Sequence, residues 1–167
     1  MTKHILTAVF SAGGVTRKAG RAIADVFGTD FYEIVPKEPY TPADLNWMSK
    51  KSRSSMEMND PSSRPMIADH TLDISSYDTV IIGYPIWWGL APRIIETFLE
   101  SYDFSGKRII PFCTSGGSGI GRSDIELHKN VSEDVKWEKG IQISRPNEKT
   151  IRKQLGSVLE QEQNILQ

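Results

Sequence analysis

The sequence has little cysteine and no strong excess of charge. Its single cysteine, Cys113, cannot form an internal disulfide, and this usage fits a reducing, cytoplasmic setting. We interpret Cys113 as a small buried residue without a nucleophilic role. Twenty basic residues against twenty-one acidic ones give a formal net charge of -1, so no global field attracts nucleic acid or an anionic membrane. We therefore expect neither as a partner.

Long hydrophobic runs and metal-ligand patterns are also missing. The longest apolar stretch, residues 79–91, is interrupted by two glycines and a proline, and a bilayer needs about 20 apolar residues in a row. The residues after Met1 enter a strand-like run with no small-residue cleavage site, so we predict no signal peptide. The three histidines, His4, His70 and His128, are scattered. Their spacing predicts no metal site.

What the chain does contain is an alternation of strand-like and helix-like segments. Its 167 residues, 38% of them hydrophobic, fit one globular domain without linkers or repeats. Short β-branched runs predict strands at His4–Phe10, Phe31–Val35, Thr79–Tyr84, Arg108–Cys113, Val135–Trp137 and Ile141–Ile143. Because these alternate with amphipathic segments, the sequence predicts a single α/β domain, with five β-α units and a parallel sheet covered by helices on both faces.

Helix boundaries follow from local signals. A stripe from Val15 to Phe27 predicts a first helix that ends at Gly28. Pro92 suits the first position of another helix, and the Ser-x-x-Glu spacing from Ser123 predicts a capping box that opens a further one. The last helix carries an apolar stripe made of Ile151, Leu155, Val158 and Leu159.

One segment breaks this alternation. Residues 49–69 are polar, contain prolines and lack periodicity. A structureless connection of that length is uncommon in a compact domain and is usually functional or disordered, so we consider it a candidate lid. Trp47, Met56 and Met58 lie in or beside it. These side chains either cover a ligand or pack the loop down, and the sequence does not separate the two.

The turn after the first strand couples hydroxyl groups and glycines to a helix start. It consists of Ser11, Ala12, Gly13, Gly14, Val15 and Thr16. Free amide groups at a helix N-terminus carry partial positive charge, and glycines let a phosphate approach closely. The turn therefore predicts a phosphate site, although a plain strand-to-helix turn with a hydroxyl cap explains the same residues.

Two later loops leave the same edge of the predicted sheet. One consists of Pro85, Ile86, Trp87, Trp88 and Gly89; the other begins with Thr114, Ser115, Gly116 and Gly117. Two adjacent tryptophans cannot both enter one core side of an extended segment, so at least one of them lines a cleft or the surface. Flat indoles suit a stacked heteroaromatic ring, whereas a helix-packing cluster or a partner interface remains the alternative.

The glycine-rich loop has a second interpretation. Residues 116–123 read G-x-x-x-x-G-R-S, one residue away from a nucleoside triphosphate phosphate loop. The essential lysine of that motif is replaced by Arg122, and no later strand ends in an aspartate that would help to hold Mg²⁺. We therefore favour a loop that meets the polar edge of a ring.

With these loops in place, the chain resembles the short-chain flavodoxins, in particular a bacterial flavodoxin-like subfamily with a twin-tryptophan loop. The resemblance covers nearly the whole sequence and is carried by Gly83–Gly89, Ala91–Arg93 and Pro111–Gly119. It implies a three-layer α/β/α flavodoxin-like fold with a five-stranded sheet. Flavodoxins are the standard example of the strand order 2-1-3-4-5 and of ligand binding at its switch point. The resemblance therefore implies this order and this binding position.

The resemblance also implies the cofactor, FMN, and its contacts. Ser11, Gly13, Gly14 and Thr16 would hold the phosphate, Pro85, Trp87, Trp88 and Gly89 would flank one side of the isoalloxazine, and Thr114 to Gly117 would border the other side. Flavodoxins usually place threonine and asparagine where this chain has Gly13 and Val15, so two side-chain phosphate contacts are missing. We favour Trp88 as the indole that stacks.

By the same resemblance, the protein is an electron carrier that cycles FMN between oxidised, semiquinone and hydroquinone states and docks on a reductase and an electron acceptor. The alternative is an NAD(P)H-dependent FMN quinone or nitro reductase, because the Pro-x-x-Trp pattern starting at Pro85 also occurs there. Weak net charge counts against steering as a carrier. The reductases are typically dimers with larger insertions, so the chain length favours a monomeric carrier.

Overall fold

The computed structural model describes residues 4–115 and 119–165, with side chains described through residue 159. Its strands are β1 (Ile5–Val9), β2 (Asp30–Glu33), β3 (Thr79–Pro85), β4 (Arg108–Thr114), β5 (Lys136–Trp137) and β6 (Ile141–Gln142). All named strand pairs are parallel, and the order is β2-β1-β3-β4-β5. The predicted parallel sheet and its order are confirmed.

The fifth position of the sheet is filled by two short segments. Both β5 and β6 pair with β4, and the register shifts by one residue between them. The amides of Glu138 and Ile143 donate to the carbonyls of Ile109 and Cys113. Backbone groups two residues apart point the same way, so Pro111 faces the same edge, where it has no N–H to offer. This missing donor explains why the edge strand is interrupted here.

Helices cover both faces of the sheet. They are α1 (Val15–Phe27), α2 (Arg53–Asn59), α3 (Arg93–Ser101), α4 (Ser123–His128) and α5 (Glu148–Ile165). Ile151 and Leu155 of α5 pack with Ile23 of α1 in one buried layer, whereas Ile94 and Phe98 of α3 belong to the layer on the other face. The predicted three-layer α/β/α architecture is therefore confirmed.

The segment at 49–69 is where the sequence interpretation was least complete. It contains α2, which begins after Ser52, whose hydroxyl accepts the Ser55 amide. Seven residues are too few to show helical periodicity. Met58 is buried, whereas Trp47 and Met56 are 70% and 61% exposed. Met58 thus packs the segment down, and Trp47 and Met56 do not.

Two helix starts differ from prediction. Ser123 is the first residue of α4 and makes no capping bond. Its buried hydroxyl instead donates to the Ile120 carbonyl and meets the Tyr84 hydroxyl, so the predicted capping box is wrong. Pro92 directly precedes α3 instead of opening it, a difference of one residue.

Candidate functional site

The three predicted loops meet at the carboxyl edge of the sheet. Thr16 at the start of α1 and Thr114 at the end of β4 share a buried hydrogen bond of 2.6 Å between their hydroxyl oxygens. A Cβ on Gly121 would lie 2.9 Å from the Gly89 carbonyl oxygen, so the chain after β4 packs against the tryptophan loop. Ala12 of the first loop lines the same cleft as Trp87. The topology therefore brings the loops into one region.

The first loop leaves a helix N-terminus suited to an anion. Gly14 precedes α1 in the left-handed region, with φ 95°, and its amide donates to the Ser11 hydroxyl at 3.0 Å. A Cβ on Gly13 would meet nothing within 4 Å, so the loop surface there is open. The first turn holds no acidic residue. Its amides lack intrahelical acceptors and carry partial positive charge, which favours a bound phosphate.

Thr16 and Arg17 have partners within the protein. The Thr16 side chain is 1% exposed and its hydroxyl contacts Thr114, so it links α1 to β4, and a direct contact of this hydroxyl with phosphate remains a prediction. The Nε of Arg17 donates to Glu33 Oε1 at 2.7 Å. This hydrogen bond raises the pKa of Arg17 and holds the guanidinium at the side of the first loop.

The twin tryptophans form a tight turn. The amide of Trp87 donates to the Leu90 carbonyl at 2.8 Å, and the Leu90 amide donates back at 3.1 Å. Trp88 and Gly89 between them have φ values of 50° and 77°, the pattern of a type I′ turn. Trp88 is the one non-glycine residue with positive φ in the described part of the chain. Its left-handed backbone is strained, because a Cβ crowds the carbonyl there.

The two indoles point into different environments, as the sequence requires. Trp87 packs edge-on against Phe10 and Tyr40, with ring centroids 5.8 and 5.5 Å away. Trp88 is 52% exposed. Burial, followed by the hydrogen bond to Glu57, raises the pKa of Tyr40. Trp87 is therefore fixed by the core, whereas Trp88 presents free surface.

A cleft of about 340 Å³ lies beside these indoles and is called here the first cleft. Its lining residues are Ala12, Leu45, Trp47, Ile86, Trp87 and Trp88. The volume lies within the usual range for ligand sites, about 300–1,000 Å³. Leu45 was not predicted, because it lies in the connection after β2, whose sequence gives no periodic signal. The lining is apolar and aromatic, which suits a flat ring system.

The third loop is described only at its beginning. Thr114 is buried and Ser115 is half-buried, whereas Gly116 and Gly117, both predicted to contact the cofactor, lie outside the described residues. The Arg122 side chain is 81% exposed and pairs with Glu126 of α4. The Arg122 side chain therefore lies along the helix in solvent and does not take the place of a phosphate-loop lysine. Burial raises the pKa of the Cys113 thiol to about 11, consistent with an inert cysteine.

The strained turn yields a first prediction. Asparagine tolerates positive φ far better than tryptophan, so Trp88→Asn is expected to leave the free energy of unfolding unchanged or to raise it by up to about 1 kcal/mol. The same change removes an indole from the first cleft and is expected to weaken binding of an aromatic ligand about tenfold. Urea unfolding and ligand titration measure the two effects. A loss of stability above about 1 kcal/mol would contradict the strain argument.

A doubly covered parallel sheet of this order, with an anion-compatible helix start and an indole-lined cleft at its carboxyl edge, defines a flavodoxin-like protein. A sequence model of the flavodoxin family matches residues 4–160. The chain therefore belongs to the flavodoxin family.

Solved structures agree with this assignment. A candidate flavoprotein from Bacteroides eggerthii is 49% identical, with a TM-score of 0.89, covering 95% of this chain and 99% of its own. A second, from Bacteroides uniformis, is 45% identical, with a TM-score of 0.87, covering 92% and 97%. A flavoprotein from Lactobacillus acidophilus, solved in complex with FMN, is 22% identical, with a TM-score of 0.64, covering 84% and 93%, and shares the fold. No curated protein matches the chain.

No helix within residues 4–115 and 119–165 is long and apolar enough to cross a membrane. In that same part of the chain, no group of three or more histidine, cysteine, aspartate or glutamate side chains is placed to hold a metal ion.

Proposed function

We propose that the protein binds FMN at the carboxyl edge of the sheet and serves as an electron carrier. The observation that carries this proposal is the continuity of the first loop: Ala12 lines the first cleft, and two residues later Gly14 opens the N-terminus of α1. One short backbone segment thus joins an aromatic cleft to an anion site. FMN combines an aromatic ring system with a phosphate and needs both.

The residues fit this cofactor. Ser11, Gly13 and Gly14 border the first-turn amides of α1, which would hold the phosphate. Trp87 and Trp88 would flank the ring, and the chain after Thr114 would border its other side. The flavin supplies the redox chemistry, whereas the protein binds it, orients it and shields it from water. The described lining of the first cleft carries no cationic side chain, so it would stabilise negative charge on a bound flavin poorly.

The carrier is preferred to the NAD(P)H-dependent quinone or nitro reductase because the described chain has no long insertion besides the connection between β2 and β3. This connection is tied to the body of the protein at the end of α2, where Arg93 of α3 donates to the carbonyls of Glu57 and Met58. We propose a reductase and an electron acceptor as protein partners, and a cytoplasmic location. Rapid NADPH oxidation with a quinone, without any added reductase, would favour the enzyme instead.

The test of FMN binding compares two flavins. FMN is expected to lose its fluorescence on titration with the protein, because indoles next to the ring quench it. Riboflavin lacks the phosphate and is expected to bind at least about tenfold more weakly, since it forgoes charge-assisted hydrogen bonds to the helix N-terminus. Equal affinities for FMN and riboflavin would show that the helix N-terminus does not bind the phosphate. If FMN fluorescence is not quenched, the proposal of FMN binding is wrong.

Gly89 gives a prediction about redox behaviour. In flavodoxins, a peptide next to the flavin changes orientation to stabilise the one-electron-reduced state, and glycine allows such a change at little cost. Gly89 has φ 77°, and a Cβ there would meet nothing within 4 Å. Gly89→Ala is therefore expected to fold, yet to reduce the amount of one-electron-reduced flavin in a redox titration. An unchanged titration would exclude this role.

A further inference from the structure

A larger cleft also borders the exposed indoles of Trp47 and Trp88 and is called here the second cleft. Its volume is about 610 Å³, again within the range of ligand sites. Trp47 and Trp88 line both clefts, whereas Met48, Met58 and Leu90 line only the second. The second cleft therefore shares two indoles with the first cleft, and its other apolar lining residues are its own.

The polar groups of the second cleft define the chemistry of its occupant. Lys50 is the one charged side chain among the described residues that line it, and it forms no ion pair in the described part of the chain. Asn59, also in the lining, is exposed and makes no side-chain hydrogen bond within the described residues. An ammonium group and an amide without partners in an aromatic and thioether lining suit a flat apolar ligand with one negative oxygen group.

We propose that the second cleft binds a planar aromatic anion, such as an aromatic carboxylate or sulfonate, with its ring against Trp47 and Trp88 and its oxygens at Lys50. The biological role of this ligand rests on the proposed function, because the ligand would contact the same two indoles as the flavin. It deepens that function by giving the class of small molecule that binds beside the flavin. The charged contact, Lys50, lies outside the first cleft.

The test uses anthraquinone-2-sulfonate as the probe and isothermal titration calorimetry on the FMN-loaded protein. Lys50→Gln is expected to weaken probe binding at least about threefold, through loss of the charge. Lys51→Gln is the matched control, because Lys51 is adjacent and exposed but does not line the cleft, and it is expected to leave probe affinity within about twofold. Met48→Ala, at a 74% exposed position, is expected to weaken the probe without unfolding the protein.

The outcomes separate this proposal from FMN binding. FMN affinity, measured by fluorescence quenching, is expected to stay the same in all three variants. If the probe fails to bind the FMN-loaded protein, or binds Lys50→Gln and Lys51→Gln equally well, the second cleft is not an anion site. If the probe displaces FMN, the two clefts form one flavin site and the proposal is wrong. A failure of FMN to bind at all would overturn the proposed function, while probe titration of the apoprotein would still test the second cleft.

Discussion

Replacing Gly83 with alanine is expected to lower the free energy of unfolding by about 3 kcal/mol. Gly83 lies in the buried strand β3, and a Cβ there would come within 2.1 Å of Phe112 Cζ. Phe112 is directly opposite Gly83 in the paired strand β4, and Val9 is opposite it in β1. Because both neighbouring strands hold this backbone in register, the added methyl group cannot be accommodated by a strand shift.

A double-mutant cycle tests this explanation by urea unfolding, followed through tryptophan fluorescence. Phe112→Leu removes the ring that the new methyl group would strike. If the clash is the cause, Gly83→Ala in the Phe112→Leu background should cost at least about 1 kcal/mol less than in the natural protein. Gly28→Ala is the matched control: its φ is 68° and no atom lies within 4 Å of its Cβ position, so backbone strain alone, about 1 kcal/mol, is expected. Additive costs would contradict the clash.

Much of the fold could be predicted because its signals are local. The buried strand β3 and helix α1 each carry an uninterrupted pattern, and Gly28 ends α1 in the left-handed conformation expected of a C-terminal glycine. The strand order needed the family resemblance. The alternation of strands with helices indicates that the strands are parallel, but it does not show which strands are neighbours.

The details that the sequence did not predict depend on contacts between distant residues. Thr16 and Thr114 are 98 residues apart, and nothing in either neighbourhood indicates that their hydroxyls pair. The same is true of Ser123, whose spacing to Glu126 satisfied a capping motif while its hydroxyl was recruited by Tyr84. In both cases a buried hydroxyl is paired by tertiary structure with a residue far away in the sequence.

The candidate site follows the same division. The twin tryptophans were recognisable by their chemistry, and the requirement that they diverge followed from strand geometry. Leu45 and Lys50 were not recognisable, because they lie in an aperiodic connection that is positioned by side chains elsewhere. Among the side chains that position this connection, Arg93 is the most important, since its guanidinium fixes the end of α2. Helix α2 in turn contributes Met58 and Asn59 to the second cleft.

Arg93→Met is accordingly expected to lower the free energy of unfolding by about 3 kcal/mol. The Arg93 side chain is 9% exposed. Its Nε and Nη2 donate to the carbonyls of Glu57 and Met58 at 3.2 and 2.8 Å, and its Nη1 donates to Glu96 at 2.9 Å. The two carbonyls belong to the last turn of α2, and that of Glu57 also accepts the amide of Asp60. Methionine fills the volume but removes the donor to the Met58 carbonyl, and it leaves the Glu57 carbonyl and the Glu96 carboxylate with their bonds to Asp60 and Arg64.

Two comparison variants distinguish the loss of the three guanidinium hydrogen bonds from the loss of a positive charge. Arg93→Lys keeps the charge but not the planar set of donors, so it should recover less than half of the stability. Arg152→Met removes an exposed arginine paired with Glu148 in α5, and the cost there should stay below about 0.5 kcal/mol. Hydrogen exchange adds a local measurement: Arg93→Met should increase the exchange rates of the α2 amides more than those of the α1 amides. Equal protection in the two helices, or full recovery by lysine, would show that Arg93 does not hold α2, and the second cleft would then need another support.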